Sequence, residues 1–161
     1  MANLYIMCGV PGSGKSTWIK KHLSLYDRYV SRDEIRFSMV KEDEPYFSKE
    51  DEVVKEFYKR INESLANGYN TFADATHLTP AARKKFLSNI HGYEKVCVIE
   101  MDIPLCIALE RNELRKGTRA YVPRSVIRRM WEQSESPTYI EGFTTIYRVD
   151  KDNKIHIIQE E

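Results

Sequence analysis

The chain has 161 residues, a length that fits one domain, 1–161. Lys and Arg number 25 against 24 Asp and Glu, a net charge of +1, with 42% hydrophobic and 30% charged residues; this balance excludes a disordered chain and a general polycation, so affinity for nucleic acid has to come from a local patch. No run approaches the ~18 apolar residues of a membrane span, and Cys8, Cys97 and Cys106 lie in apolar stretches without metal spacing, which predicts buried thiols, a reducing cytoplasmic compartment and no disulfide framework.

In chain order, Met1-Ala2-Asn3 leads straight into Leu4–Cys8, which reads as a strand rather than a signal peptide. A glycine-rich loop follows, then a helix from about Ser16 to Leu25 and a short strand, Arg28–Ser31. Asp33–Val40 reads as a short helix, with Ser31 and Glu34 at capping-box spacing. After a polar, acidic stretch over Lys41–Phe47, Ser48 is placed to cap a long helix. Its Val53, Phe57, Ile61 and Leu65 fall on one face, and Gly68 stands where it stops. Asn70–Asp74 is a third strand, and Thr79-Pro80 has the cap-then-proline order of a helix start, with the helix running to Gly92. Val96–Met101 is a strand covered on both faces. Pro104 opens one helix and Pro123 another, the latter with Val126, Ile127, Met130 and Trp131 in one stripe. Thr144–Val149 and Lys154–Ile158 read as strands around a polar turn at 150–153. Alternation of this kind predicts an α/β fold, a parallel sheet with helices on both faces.

Gly9-Val10-Pro11-Gly12-Ser13-Gly14-Lys15-Ser16-Thr17 fits G-x-x-x-x-G-K-[ST], directly after a strand and opening a helix. Glycines let successive N–H groups turn inward as a nest for phosphate, and the helix N-terminus adds roughly half a positive charge at the same point. Lys15 supplies an ammonium for the β- and γ-phosphate oxygens, and the Ser16 hydroxyl a ligand for Mg²⁺. The competing interpretation is a glycine-rich turn with an incidental lysine. All four fixed positions in the right context make this the strongest signal in the chain, and it points to a nucleoside triphosphate with Mg²⁺.

A phosphoryl acceptor is activated by a carboxylate facing the γ-phosphate, and such groups belong at the carboxyl ends of parallel strands. Asp33 follows the second strand, with Arg36 one helical turn on; Asp74 ends the third strand. Asp33 could also be a first-turn acid favoured by the helix dipole, and Asp74 could hold Mg²⁺ through water. His77 reads as a hydrogen-bonding loop residue rather than a base. From Pro104 to Arg129, seven basic residues stand against two acidic ones, a local +5. Arg111 and Arg115, neighbours at i, i+4 before a Lys116-Gly117-Thr118 break, suit a mobile lid over about 111–124 that brings guanidinium groups onto transferring phosphate. A solvated basic face is the alternative, and it is the reading given to Arg83-Lys84-Lys85.

These residues resemble the kinase domain of phage-type polynucleotide 5′-hydroxyl kinases, within the wider group of small P-loop kinases. The likeness runs from Met1 to about Met130. It is carried by Gly9–Thr17 with Trp18, Ser31-x-Asp33-x-x-Arg36, Asp74-x-Thr76-His77-Leu78-Thr79-Pro80, Asp102-Ile103-Pro104, Glu110-Arg111-Asn112, Arg115, Gly117-Thr118 and Val122-Pro123. The resemblance implies a three-layer α/β/α fold with about five mostly parallel strands and a helical lid, using ATP and Mg²⁺. It implies Lys15 and the loop residues Gly9, Pro11, Gly12, Ser13, Gly14, Ser16 and Thr17 on the donor phosphates, and Ser16 with Asp74 on the metal. Asp33 becomes the general base, Arg36 the contact to an acceptor phosphate with Thr76 nearby, and Arg111 and Arg115 the lid contacts to donor phosphates. His77 stands where such kinases often have Asn, and Lys116 and Tyr121 lengthen the lid. The expected activity is transfer of the γ-phosphate to a hydroxyl, a polynucleotide 5′ end first, with no membrane and no obligate protein partner. A kinase for a small alcohol, nucleotide sugar or aminoacylated RNA is the second expectation, and an ATPase switch the third.

Overall fold

The computed structural model of the chain describes residues 2–160. Among the described residues, six strands and six α-helices follow in the order β1 (Leu4–Cys8), α1 (Lys15–His22), β2 (Asp27–Ser31), α2 (Arg32–Met39), α3 (Glu50–Ala66), β3 (Asn70–Asp74), α4 (Pro80–Leu87), β4 (Val96–Met101), α5 (Leu105–Glu113), α6 (Arg124–Gln133), β5 (Thr145–Val149) and β6 (Ile155–Ile157). The strands form one sheet in the order β2-β3-β1-β4-β5-β6. The first five are parallel, and β6 returns antiparallel along β5. The fold is the expected three-layer α/β/α arrangement, with a sixth strand added at one edge. That strand follows from a tight turn in which the Asp150 Oδ1 accepts from the backbone N–H groups of Asp152 and Lys154.

The period-2 pattern of the strands divides the core into two layers. Leu4 and Ile6 of β1 join Ala73, Val98 and Ile146 on the face covered by α3 and α4, where the expected stripe of Val53, Phe57, Ile61 and Leu65 is buried with Phe86. Met7, Phe72, Ile99 and Val149 face the other way, against Trp18 and Ile19 of α1. A smaller cluster of Val10, Ala108, Leu109 and Ile127 seats the loop after β1 on α5 and α6. The carboxyl ends of β2, β3 and β1 are therefore neighbours, and the loops that leave them share one rim. Among the described residues no helix is long and apolar enough to cross a membrane.

Local hydrogen bonding explains where element boundaries depart from expectation. α1 stops at His22 because the Asp27 carboxylate captures the Ser24 N–H at 2.8 Å, closing a turn before Leu25. Ser31 caps α2 as expected, accepting from the Glu34 N–H. Ser48 does not cap α3: Lys49 holds that position without a side-chain bond, and Glu50, Asp51 and Glu52 in the first turn answer the helix dipole instead. Thr79 caps α4, accepting from the Ala82 N–H with Pro80 next. That helix ends at Leu87 rather than Gly92, because the Ser88 and Asn89 side chains take the Lys85 carbonyl. In α6 only Ile127 is fully buried, and Trp131 is exposed. Cys8 and Cys97 are buried as expected, whereas Cys106 lies on the exposed side of α5.

The basic run on α4 is also not uniformly solvated. Arg83 is completely buried, its Nε 2.7 Å from Glu141 Oε1 and its Nη1 donating to the His77 carbonyl at 2.9 Å. Glu141 sits in a 3-10 turn (Tyr139–Glu141) that a Thr138 capping box holds in place. Truncating one partner of a buried pair strands the other charge. Arg83→Ala should therefore cost about 3–5 kcal/mol in urea unfolding, and Arg83→Met combined with Glu141→Leu should recover most of it.

Candidate active site

The loop between β1 and α1 owes its shape to two glycines. Gly12 (φ +84°) and Gly14 (φ +93°) both take the left-handed conformation, which turns the intervening N–H groups toward one point. A Cβ on Gly12 would strike the Ala108 carbonyl oxygen of α5, and one on Gly14 would lie 3.0 Å from Arg111 Nη1. Lys15, half-buried at the start of α1, donates to the carbonyls of Gly9 (2.8 Å) and Val10 (2.9 Å). An ammonium has three N–H donors, so one remains for a ligand. Burial pushes the Lys15 pKa down, while Asp74 and Asp33 pull it back up and Arg115 lowers it further. Those three side chains thus act electrostatically on the loop lysine. Gly9 and Ser13 line the loop base, Pro11 is half-buried at its tip, and Thr17 points to the exposed side of α1. The Ser13 hydroxyl is buried without a hydrogen-bond partner.

Asp74, at the carboxyl end of β3, accepts from the Ser16 hydroxyl at 2.7 Å and from the Tyr29 hydroxyl at 2.7 Å, both on Oδ2. Burial and the neighbouring Asp74 charge push the Tyr29 pKa up, so the phenol stays a donor. A hydroxyl and a carboxylate converging beside an amide-lined phosphate cradle are the hard oxygen donors that Mg²⁺ takes, usually with phosphate and water completing its shell. The residues present therefore fit that ion. Thr76 is tied to the loop through its carbonyl, which accepts the Gly9 N–H at 3.0 Å.

Asp33 stands in the first turn of α2, its side chain 65% exposed. Arg36 Nη1 donates to Asp33 Oδ1 at 2.5 Å, and the Tyr46 hydroxyl donates to the same oxygen at 3.1 Å. Oδ2 takes no hydrogen bond among the described residues. Arg36 is the residue expected on an acceptor phosphate. It is buried, its Nε and Nη2 bind Glu50 at 2.8–3.0 Å, and its Nη1 is shared by Asp33 and Tyr46 (2.8 Å). Burial opposes its charge most strongly, but the Glu50 hydrogen bonds together with the charges of Tyr46, Glu50 and Asp33 outweigh it and raise the guanidinium pKa. Here Arg36 holds Asp33 rather than facing outward.

The last turn of α5 reaches the loop, and the segment after it runs on toward α2. Arg111 Nη1 donates to the Ser13 carbonyl at 3.2 Å, and Arg115, half-buried beyond the end of α5, makes no ion pair among the described residues. Buried Asn112 fastens the two ends of this segment, donating to the Val122 carbonyl at 2.6 Å and accepting its N–H at 3.0 Å. Arg119 reaches the other way: it donates to the Phe37 and Val40 carbonyls at the end of α2 and stacks 4.9 Å over the Phe37 ring.

Four contributors escape a reading of motifs: Tyr29, Tyr46, Glu50 and Arg119. Glu50 opens α3, and its ion pairs with Arg32 (2.6 Å) and Arg36 (2.8 Å) form only when α2 and α3 pack. Tyr46 and Phe47 did carry a signal, being aromatic in an otherwise charged loop.

Compared with known proteins, a family model described as AAA domain (AAA_33) matches residues 4–137. No curated protein matches the chain. Among solved structures, a chain of the Pnkp1/Rnl/Hen1 RNA repair complex superposes with a TM-score of 0.72 and 23% identity, over 82% of this chain and 43% of that one. The chain thus spans less than half the length of that relative. Kti12 from Chaetomium thermophilum, in complex with ADP-AlF3, gives a TM-score of 0.68 and 17% identity over 94% of this chain and 90% of its own. A sugar kinase from Janibacter sp. HTCC2649 gives 0.63 and 16%, over 93% and 85%. At these identities the likeness is one of fold.

His77 connects the two strand ends. It is buried at φ +45°, with Nδ1 2.9 Å from the Met7 carbonyl oxygen of β1, the loop role expected of it. Burial lowers its pKa from 6.5 to about 4. The folded state therefore keeps His77 neutral where the unfolded chain takes up a proton, and stability is lost as pH falls from about 6.5 toward 4. The full effect is about 3 kcal/mol. His77→Asn, which tolerates the left-handed backbone, should flatten that part of the stability profile measured by denaturation at several pH values.

Proposed function

The chain belongs to the AAA domain family, and on that footing we propose that it is an ATP-dependent kinase that transfers the γ-phosphate to a hydroxyl, the 5′-hydroxyl end of a polynucleotide first among acceptors. The observation that carries this reading is the Asp33 carboxylate, with one oxygen held by Arg36 and Tyr46, the other unengaged, and its charge felt by Lys15. A carboxylate oriented beside a phosphate cradle, with one oxygen unengaged, is what an attacking hydroxyl needs.

In the proposed reaction the N–H groups of Gly12–Ser16 and the spare N–H of Lys15 bind the β- and γ-phosphates. Ser16 and Asp74 would hold Mg²⁺, which supplies charge neutralisation on the phosphate oxygens when bound. The acceptor hydroxyl gives its proton to Asp33 Oδ2 as its oxygen attacks the γ-phosphorus; the bond to the β-bridging oxygen breaks and ADP leaves. Arg111 and Arg115 answer the charge on the transferring group, electrostatic help that acts where charge develops. Thr76, on the rim between Asp74 and His77, belongs to the acceptor side.

A second reading, a kinase for a small alcohol such as a sugar, is favoured by one observation: the Arg36 N–H groups are already engaged by Glu50, Asp33 and Tyr46, so that guanidinium does not mark the acceptor as phosphorylated. The fold shared with a sugar kinase fits that alternative equally.

With γ-labelled ATP and Mg²⁺, label should appear on a 5′-hydroxyl oligonucleotide. Asp33→Asn should lower that transfer by about 10²–10⁴-fold while ATP affinity, followed by calorimetry, stays near wild type. Label on a polyol in place of the oligonucleotide establishes the second reading. Free phosphate alone, unaffected by Asp33→Asn, removes the kinase account in favour of an ATPase.

A further inference from the structure

The loop between α2 and α3 brings two exposed rings to the acceptor side of Asp33. Tyr46 is 41% exposed and Phe47 67%. Their rings meet edge to face at 4.7 Å, and Tyr46 in turn meets Phe37 at 6.4 Å. Beneath them lies the Arg36 guanidinium, 4.4 Å from the Tyr46 ring and 5.6 Å from the Phe47 ring. A single exposed Phe is ordinary on a protein surface. This one stands beside a carboxylate, on a cation that two carboxylates have already neutralised.

That neutralisation decides what the surface can recognise. Arg36 is saturated by Glu50, Asp33 and Tyr46, so a phosphate gains nothing by approaching it. The same loop carries Glu42, Asp43 and Glu44 against Lys41 and Lys49, and Lys49 is paired to Glu44 at 3.6 Å, so the loop offers phosphate no net positive charge. What remains is a flat apolar face whose distance from Asp33 is set by the Tyr46 hydroxyl. Burial and the Asp33 charge push the Tyr46 pKa up to about 12, which keeps its proton in place as a donor.

We propose that Phe47 is the stacking platform for the terminal nucleobase of the acceptor, and that Tyr46 is a positioning residue that turns Asp33 so that Oδ2 meets the hydroxyl. The proposal rests on the polynucleotide reading above and deepens it: the acceptor end is recognised by the face of its base rather than by its phosphate. Aromatic faces accept every base, so the site tolerates any terminal nucleotide but requires that one be present.

The test uses the intact chain, γ-labelled ATP and Mg²⁺, with two acceptors: a 5′-hydroxyl oligonucleotide, and the same strand with an abasic 5′-terminal residue. Phe47→Ala should raise the acceptor KM about tenfold for the base-bearing end and leave the KM for the abasic end and for ATP unchanged. Phe47→Trp should restore the discrimination, and Phe47→Leu should not. Tyr46→Phe keeps the ring and loses the hydroxyl; it should lower kcat about tenfold with little change in acceptor KM. Equal KM changes for both acceptors in Phe47→Ala, or none for either, overturn the stacking role. A rise in acceptor KM with kcat intact in Tyr46→Phe overturns the positioning role. If the wild-type chain labels neither strand but labels glycerol or a hexose, the polynucleotide reading falls, and the platform with it.

Discussion

A loop of backbone amides can grip phosphate only if something keeps those amides turned inward. In this chain that constraint is the close approach of α5. Gly12 lies against the Ala108 carbonyl, and Gly14 lies under Arg111, whose guanidinium also holds the Ser13 carbonyl. Gly12 does not admit a Cβ, one on Gly14 would crowd Arg111 Nη1, and both backbones are left-handed, so at Gly12 conformation and space reinforce each other. Val10, Ala108, Leu109 and Ile127 then bury the contact. Lys15 closes the loop from inside by binding Gly9 and Val10. Sheet order does the rest, since β3 lies between β1 and β2 and delivers Asp74 and Asp33 to the same rim.

The acceptor side is built differently, from side chains rather than backbone. One basic group, Arg36, links three elements: α2 through Asp33, α3 through Glu50 and the intervening loop through Tyr46. Because the guanidinium fork is planar and carries five donors, it can satisfy this many acceptors at once, which a lysine could not. Its buried position makes the group a scaffold for Asp33. The donor half thus rests on glycine geometry, and the acceptor half on a satisfied ionic network.

Much of this was legible in the sequence because it depends on local pattern. The strands β1, β3 and β4, the phosphate loop, the Ser31 and Thr79 caps and the stripe of α3 all follow from spacing a few residues long. What was not legible depends on partners far away in the chain. Arg83 sits in a run of three basic residues, and only Glu141, 58 positions on, makes it a buried group. Arg36 stands one turn from Asp33, a spacing equally suited to an outward phosphate contact; Glu50, 14 positions on, turns it inward. Ser48 was a reasonable cap by residue type, yet the first-turn acids of α3 made it unnecessary. The sixth strand was visible, but its antiparallel direction was set by the Asp150 turn.

Mechanically, α2 is a strut of eight residues, about 12 Å long, gripped at both ends. One end carries Asp33; at the other, Arg119, from the segment that follows α5, clasps the Phe37 and Val40 carbonyls, while Arg111 of α5 lies on the phosphate loop. Both ends of the helix are thus held by groups that also border the cleft. The donor and acceptor halves of the cleft therefore share a common support, the stretch from Arg111 to Arg119.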